Sequence, residues 1–254
     1  MELRSHHPYP SRRSAVLARN MVAASQPLAA QAGLAMLARG GNAVDAALAT
    51  AITLTLVEPT GCGLGSDAFA ILWDGTALHG LNASGRAPAL MTRERFAGQA
   101  QVPFRGWESV TVPGAVSSWV ALSERFGALP FETLFEPAIG YAESGFPVSP
   151  VIAALWARAE AELAHQPGFA EAFLPDGRAP KAGQLFRNPA MARSLRLIAE
   201  TRGAAFYEGA LAEAIAVSRG EQLRTGEPGR RSVSCATAAP YLAAPPCPTS
   251  ERVA

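Results

Sequence analysis

The spacing of apolar and polar positions changes several times along the chain, and each change marks an element. From Leu28 to Arg39 apolar residues fall on almost every helical face, and Pro27 stands where a first turn tolerates a missing N–H. Gly40-Gly41 ends that helix. Asn42 is a suitable N-cap for a second one, Asp45 places a carboxylate in its first turn, and the Ala/Leu/Ile/Thr run to Val57 predicts a helix covered on all sides. Glu58-Pro59 stops it, because a residue before proline is pushed out of the helical region. The glycine-rich stretch Thr60 to Ser66 leads into Phe69–Trp73, which has strand composition, and Asp74-Gly75 predicts a tight hairpin into Ala77 to Ala83. Beyond Arg86-Ala87-Pro88 the pattern turns helical over Gly114 to Phe126, Phe131 to Glu143, Ser149 to Ala164, Asn188 to Glu200 and Ala204 to Val217. Helices on both sides of a two-strand hairpin predict an α+β layered fold whose sheet is incomplete in this chain.

The two ends read differently. Residues 1–17 are polar, carry Pro8 and Pro10, and are expected to be a disordered lead-in. Residues 218–254 crowd Arg, Pro, Ser, Thr and two of the three cysteines into a stretch with neither helical nor strand period. They are expected to stay outside the core.

Composition narrows the classes of function. The 254 residues, 49% of them hydrophobic, suffice for one sizeable core or a large part of a bigger one. With 22 basic against 21 acidic side chains there is no net field to attract nucleic acid or an anionic membrane, so a small-molecule substrate or a protein partner is expected. Three cysteines without a C-x-x-C pair argue against a disulfide framework and a thiolate metal site. The N-terminal stretch has no signal-peptide core and Ala46 to Val57 is too short to cross a bilayer, so a cytoplasmic protein is expected.

Some chemistries are disfavoured by order and spacing. Around residues 60–73 the order is helix, glycine loop, strand, the reverse of a dinucleotide fingerprint. His79 and His165 have no second ligand at i+3 or i+4, so no metal is expected. Asp67 is read either as orienting a neighbour in a site or as a turn-capping acid, and Cys62 as a small buried thiol.

Three stretches, taken in order, resemble one family. MVAASQPLAAQAGLAMLARGGNAVDAALATAITLTLVEP looks like the opening of the γ-glutamyltransferase family, whose large subunit begins with two helices joined by GGNAVDAA. GCGLGSDAFAILWDG matches its glycine loop and strand, and VTVPGAVSSWVALSERFGALPFETLFEPAIGYAESGFPVSP matches a later block in order and spacing. The resemblance covers residues 18–217 as a large-subunit-like region, roughly from residue 20 onward. It implies an N-terminal-nucleophile hydrolase with an αββα layered sandwich and without an organic cofactor. In that family a precursor cleaves itself, and a threonine freed at the start of the small subunit attacks an amide, its own α-amine serving as base.

The resemblance also sets the expectations for chemistry. None of His6, His7, His79 or His165 follows a threonine, as the family's Thr-Thr-His-like start requires, so no catalytic residue is assigned in this chain. At Ser218 the sequence leaves the family pattern, which is read as a frameshift or a degraded gene. The chain is therefore expected to be a truncated member that is inactive alone and lacks its small-subunit half, or else a non-catalytic remnant or scaffold for a chain that carries that half. Asn82-Ala83-Ser84-Gly85-Arg86-Ala87-Pro88 resembles the branch that includes oxamate amidohydrolase and acylase-like members, with Ser84 where γ-glutamyl-specific members place an arginine. The candidate substrate-binding residues are Arg86, for an anionic group, and Ser84 and Asn82, for a carbonyl. A surface ion pair for Arg86 and local turn hydrogen bonds for the other two are the structural alternatives.

Overall fold

The computed structural model describes residues 17–88, 91–104, 106–166 and 168–224, with side chains to Val217. Its elements are α1 (Pro27–Ala38), α2 (Ala43–Val57), β1 (Ala68–Trp73), β2 (Leu78–Ala83), α3 (Ala115–Phe126), α4 (Glu136–Ser144), β3 (Phe146–Pro147), α5 (Pro150–Leu163), α6 (Phe169–Phe173), β4 (Leu185–Phe186), α7 (Pro189–Glu200), α8 (Ala204–Tyr207) and α9 (Ala210–Arg224). Two antiparallel pairs, β1–β2 and β3–β4, are the sheets among the described residues. The chain divides into two compact units, Met1–Gly63 with Ser123–Ala199 and Leu64–Leu122 with Glu200–Ala254.

In the first unit, α1 and α2 form a helical hairpin. Gln26 caps α1: its Oε1 accepts from Leu28 N–H at 2.6 Å, while Ser25 Oγ donates to Glu58 at 2.5 Å. Eleven of the fifteen residues of α2 are buried, as its all-round apolar surface predicts. A Cβ on Gly33 would lie 2.8 Å from the Ala46 carbonyl oxygen, so glycine there permits the close approach of the two helices.

The turn between α1 and α2 gives GGNAVDAA its physical meaning. Asn42 Oδ1 accepts from Val44 N–H and Asp45 N–H, and Asp45 Oδ2 accepts from Asn42 N–H at 2.8 Å, a complete capping box. Asp45 is fully buried, yet its carboxylate also accepts Ala128 N–H at 3.1–3.2 Å, and Asn42 Nδ2 donates to the Phe126 carbonyl at 2.6 Å. Gly41 and Gly127 border the same carboxylate, each with room for no more than a hydrogen: a Cβ would sit 3.1 Å from an Asp45 oxygen. One buried carboxylate thus ties the start of α2 to the F-G-A segment more than 80 residues later, its charge met by the Asn42 N–H at the α2 N-terminus and by the Ala128 N–H.

The rest of this unit packs around aromatics. Trp156 on α5 meets Phe186 edge-on with centroids 4.8 Å apart and donates its indole N–H to the Phe173 carbonyl at 2.9 Å. Phe146 packs on Phe186, and Leu56, Val57, Ile152 and Val148 close the cluster. The predicted helix from Phe131 begins instead as a 3-10 turn, Phe131–Phe135, before α4. Pro137 supplies no N–H for an i→i−4 bond to Thr133, which accounts for the late start.

In the second unit, β1 and β2 pair from Ala68↔Ala83 to Trp73↔Leu78. Val116, Trp119 and Val120 of α3 are buried, as are Phe206 and Tyr207 of α8. The helix predicted over Ala204 to Val217 divides into α8 and α9 at Glu208-Gly209, where a Cβ on Gly209 would meet Ala205 Cα at 2.8 Å. The α9 backbone runs past Ser218 to Arg224. Most of the predicted lead-in (residues 1–17) and the part of the predicted tail after Arg224 lie outside the described residues.

Candidate functional site

The hairpin and the loop that leaves it carry every residue proposed from the sequence to meet substrate. Alternation along β1 and β2 sorts their side chains onto two faces. Phe69, Ile71, Trp73 and Leu78 lie on one face and are 67, 83, 61 and 62% exposed, a bare apolar sheet surface. Asn82 pairs with Phe69 and shares that face.

Beyond β2, Asn82 Oδ1 accepts from Ser84 N–H at 2.9 Å, an Asx-type turn that brings the two candidates together. Gly85 then takes φ +76°, which turns the chain so that Arg86, exposed, follows. The loop is held from one side by the segment before α3. Ser84 O accepts from Thr111 Oγ1 at 3.2 Å and Arg86 O from Val112 N–H at 3.0 Å. Gly114 N–H and Ala115 N–H donate to Ser66 O at 3.1 and 2.9 Å, so the glycine loop joins the same cluster. A Cβ on Gly114 would collide with the Ala83 carbonyl, its carbon 2.7 Å away.

Tyr207 completes the arrangement. Its hydroxyl donates to Pro113 O at 2.9 Å and accepts from Ser117 N–H at 3.0 Å. Burial raises the Tyr207 pKa, which the bond from Ser117 partly offsets, so the phenol stays a neutral donor. The Ala115 and Ser117 amides in the first turn of α3 are thereby satisfied by Ser66 and Tyr207. Sequence reasoning did not single out Ser66, Thr111 or Tyr207; the Val-Thr-Val-Pro-Gly run was the available signal for Thr111, whereas nothing local points to Tyr207.

The remaining candidates lie elsewhere. Asp67 is exposed at the foot of β1. His79 Nε2 is 2.6 Å from Asp74 Oδ2, at the hairpin turn. Asp74 Oδ1 accepts from Thr76 N–H, Thr76 Oγ1 and Ala77 N–H, and these bonds, with His79, hold its carboxyl well below the usual carboxylate range. His165 is exposed beside Gln166. Cys62 is partly buried, and desolvation, then the nearby Glu58 charge, pushes its thiol pKa up, the opposite of what a nucleophile needs. Among the described residues no group of three or more His, Cys, Asp or Glu is placed to hold a metal, and no helix is long and apolar enough to cross a membrane.

Residues 29–222 match the sequence profile of the family described as Gamma-glutamyltranspeptidase. The chain belongs to that family. Its relatives include the oxamate amidohydrolase proenzyme of Klebsiella pneumoniae, 42% identical over 213 residues, and the glutathione hydrolase-like YwrD proenzyme of Bacillus subtilis, 40% identical over 206 residues. These alignments cover 80% of this chain in both cases, but only 40% and 39% of the relatives. The chain therefore spans about two-fifths of the length of the curated relatives it matches. Cephalosporin acylase from Bacillus halodurans superimposes with a TM-score of 0.81 at 47% identity, covering 87% of this chain and 43% of that one. The family's fold, like its solved members, is of the N-terminal-nucleophile hydrolase type, a mixture of helix and sheet.

Proposed function

We propose that this chain is the large-subunit part of an amide hydrolase or acyltransferase whose N-terminal threonine comes from polypeptide beyond the residues given. The observation that carries the reading is the β1–β2 hairpin: an apolar face led by Phe69, Ile71 and Trp73 lies open beside the loop that carries Asn82, Ser84 and Arg86. An exposed patch of that kind signals a surface that another polypeptide covers. Oxamate, an amide joined to a carboxylate, suits the loop. Arg86 grips the carboxylate through its guanidinium fork, while Ser84 and Asn82 face the amide carbonyl. The threonine hydroxyl attacks that carbonyl, ammonia leaves, and water releases the acyl group. Alone, the chain supplies binding groups without a nucleophile and does not turn over.

Co-expression with the C-terminal small-subunit region of oxamate amidohydrolase tests this reading through ammonia release from oxamate. The two polypeptides are expected to co-purify and release ammonia, while the 254-residue chain gives none above buffer. Comparable release by the chain alone refutes the reading.

A further inference from the structure

In the loop Ser84 to Arg86 the Ser84 amide donates to Asn82 Oδ1, and the segment Thr111 to Gly114 holds the same backbone through two further bonds. Its Thr111 hydroxyl and Val112 amide take the carbonyls of Ser84 and Arg86, one on each side of Gly85. The contact leaves no slack at Gly85, where a Cβ would lie 3.0 Å from Thr111 Oγ1 and would strike the Val112 carbonyl. The segment is itself anchored. Tyr207, buried at 4% exposure, bridges Pro113 O and Ser117 N–H with one hydroxyl, and Ser66 O takes the Gly114 and Ala115 amides. Phe206 packs edge-on against the Tyr207 ring with centroids 5.2 Å apart, and at Gly203, φ +82°, an added Cβ would crowd Val116 and Val120 at 3.1 and 3.2 Å.

We propose that Thr111 and Tyr207 are positioning residues: through the Val112–Pro113 segment they hold the backbone of Ser84–Arg86 in the one placement from which Arg86 and Ser84 meet an anionic amide substrate. The inference rests on the preceding reading that this loop binds substrate. Neither residue touches substrate. Their influence runs through two carbonyls whose position fixes the side chains between them. A clamp of this kind acts on substrate affinity, since the bond-making atoms lie on the other polypeptide.

Three variants in two assays separate the possibilities. Hydrogen exchange on the full chain reads the Ser84 and Val112 amides, which donate to Asn82 and Arg86 respectively. KM and kcat for oxamate are read in the two-polypeptide assembly. Thr111→Val, at an exposed site, is expected to quicken both amides and raise KM about three- to tenfold with kcat little changed, the scale of one lost hydrogen bond. Thr111→Ser restores both values. Tyr207→Phe keeps the ring and is expected to shift the same two readouts in the same direction. Unchanged exchange in Thr111→Val overturns the clamp. Faster exchange with unchanged KM overturns its role in binding, provided Arg86→Gln raises KM. If Arg86→Gln leaves KM unchanged, the substrate reading of the loop fails, and this inference falls with it even though the clamp stands. A Tyr207→Phe effect on melting alone, with KM and exchange at wild-type values, removes Tyr207 from the proposal.

Discussion

Replacing Asp45 with alanine removes the carboxylate on which the α1–α2 turn and the F-G-A segment converge. The side chain is fully buried and accepts from Asn42 N–H and Ala128 N–H. Loss of the reciprocal cap at Asn42 N–H costs about 1 kcal/mol, and the part-buried Ala128 N–H left without a partner costs about 1–3 kcal/mol. The sum is roughly 2–4 kcal/mol, large for a point substitution. Asp45→Asn retains one acceptor oxygen but loses the charge that strengthens its bonds, and about 1–2 kcal/mol is expected. Asp67→Ala, an exposed carboxylate, serves as the control and is expected within about 0.5 kcal/mol of wild type. Urea unfolding of the full chain followed by circular dichroism orders the three. If Asp45→Ala unfolds at the same midpoint as Asp67→Ala, the argument that one carboxylate organises this turn is wrong.

Other expectations follow from the same geometry. Thr53 is fully buried, and its hydroxyl has no hydrogen-bond partner. The isosteric Thr53→Val is therefore expected to stabilise the chain by about 1 kcal/mol, read as a higher melting temperature; a lower one contradicts the orphaned hydroxyl. The Asp74 carboxyl is depressed by Ala77 N–H, then by His79 and Thr76. Its contribution is present above the ordinary carboxylate pKa of about 4 and is lost as pH falls through the lower folded value. Exchange at the Thr76 and Ala77 amides should quicken at the acid end in wild type, and Asp74→Asn should flatten that dependence. Because burial and Glu58 raise the Cys62 thiol, peptide mapping after brief iodoacetamide treatment at pH 8 should show it less alkylated than an unstructured cysteine. Full labelling of Cys62 at the rate of a free thiol counts against that environment.

What was legible in the sequence was local. Gly40-Gly41, Asn42 and Asp45 announce a helix end and a helix start by their own backbone preferences, and the hairpin shows itself through Asp74-Gly75 between apolar runs. What escaped depends on distant partners. Asp45 reads as a first-turn acid, but its bond to Ala128 spans 83 positions, and Tyr207 meets Pro113 across 94. The Phe69–Trp73 run gave strand composition without saying which face stays open. That follows only from the register that puts Phe69, Ile71 and Trp73 together. At the loop, the Asn82–Ser84 turn bond was anticipated as the structural alternative, since an asparagine leaving a strand commonly accepts from the second amide beyond it.

The claim on which the rest depends is that the reacting hydroxyl belongs to another polypeptide. Trapping the acyl-enzyme formed by the active assembly and mapping it by mass spectrometry locates that hydroxyl. The account predicts the acyl mass on the N-terminal threonine of the small-subunit region, with every peptide of this chain unmodified. An acyl group on Ser84, Thr111, Cys62 or any other residue of this chain contradicts it.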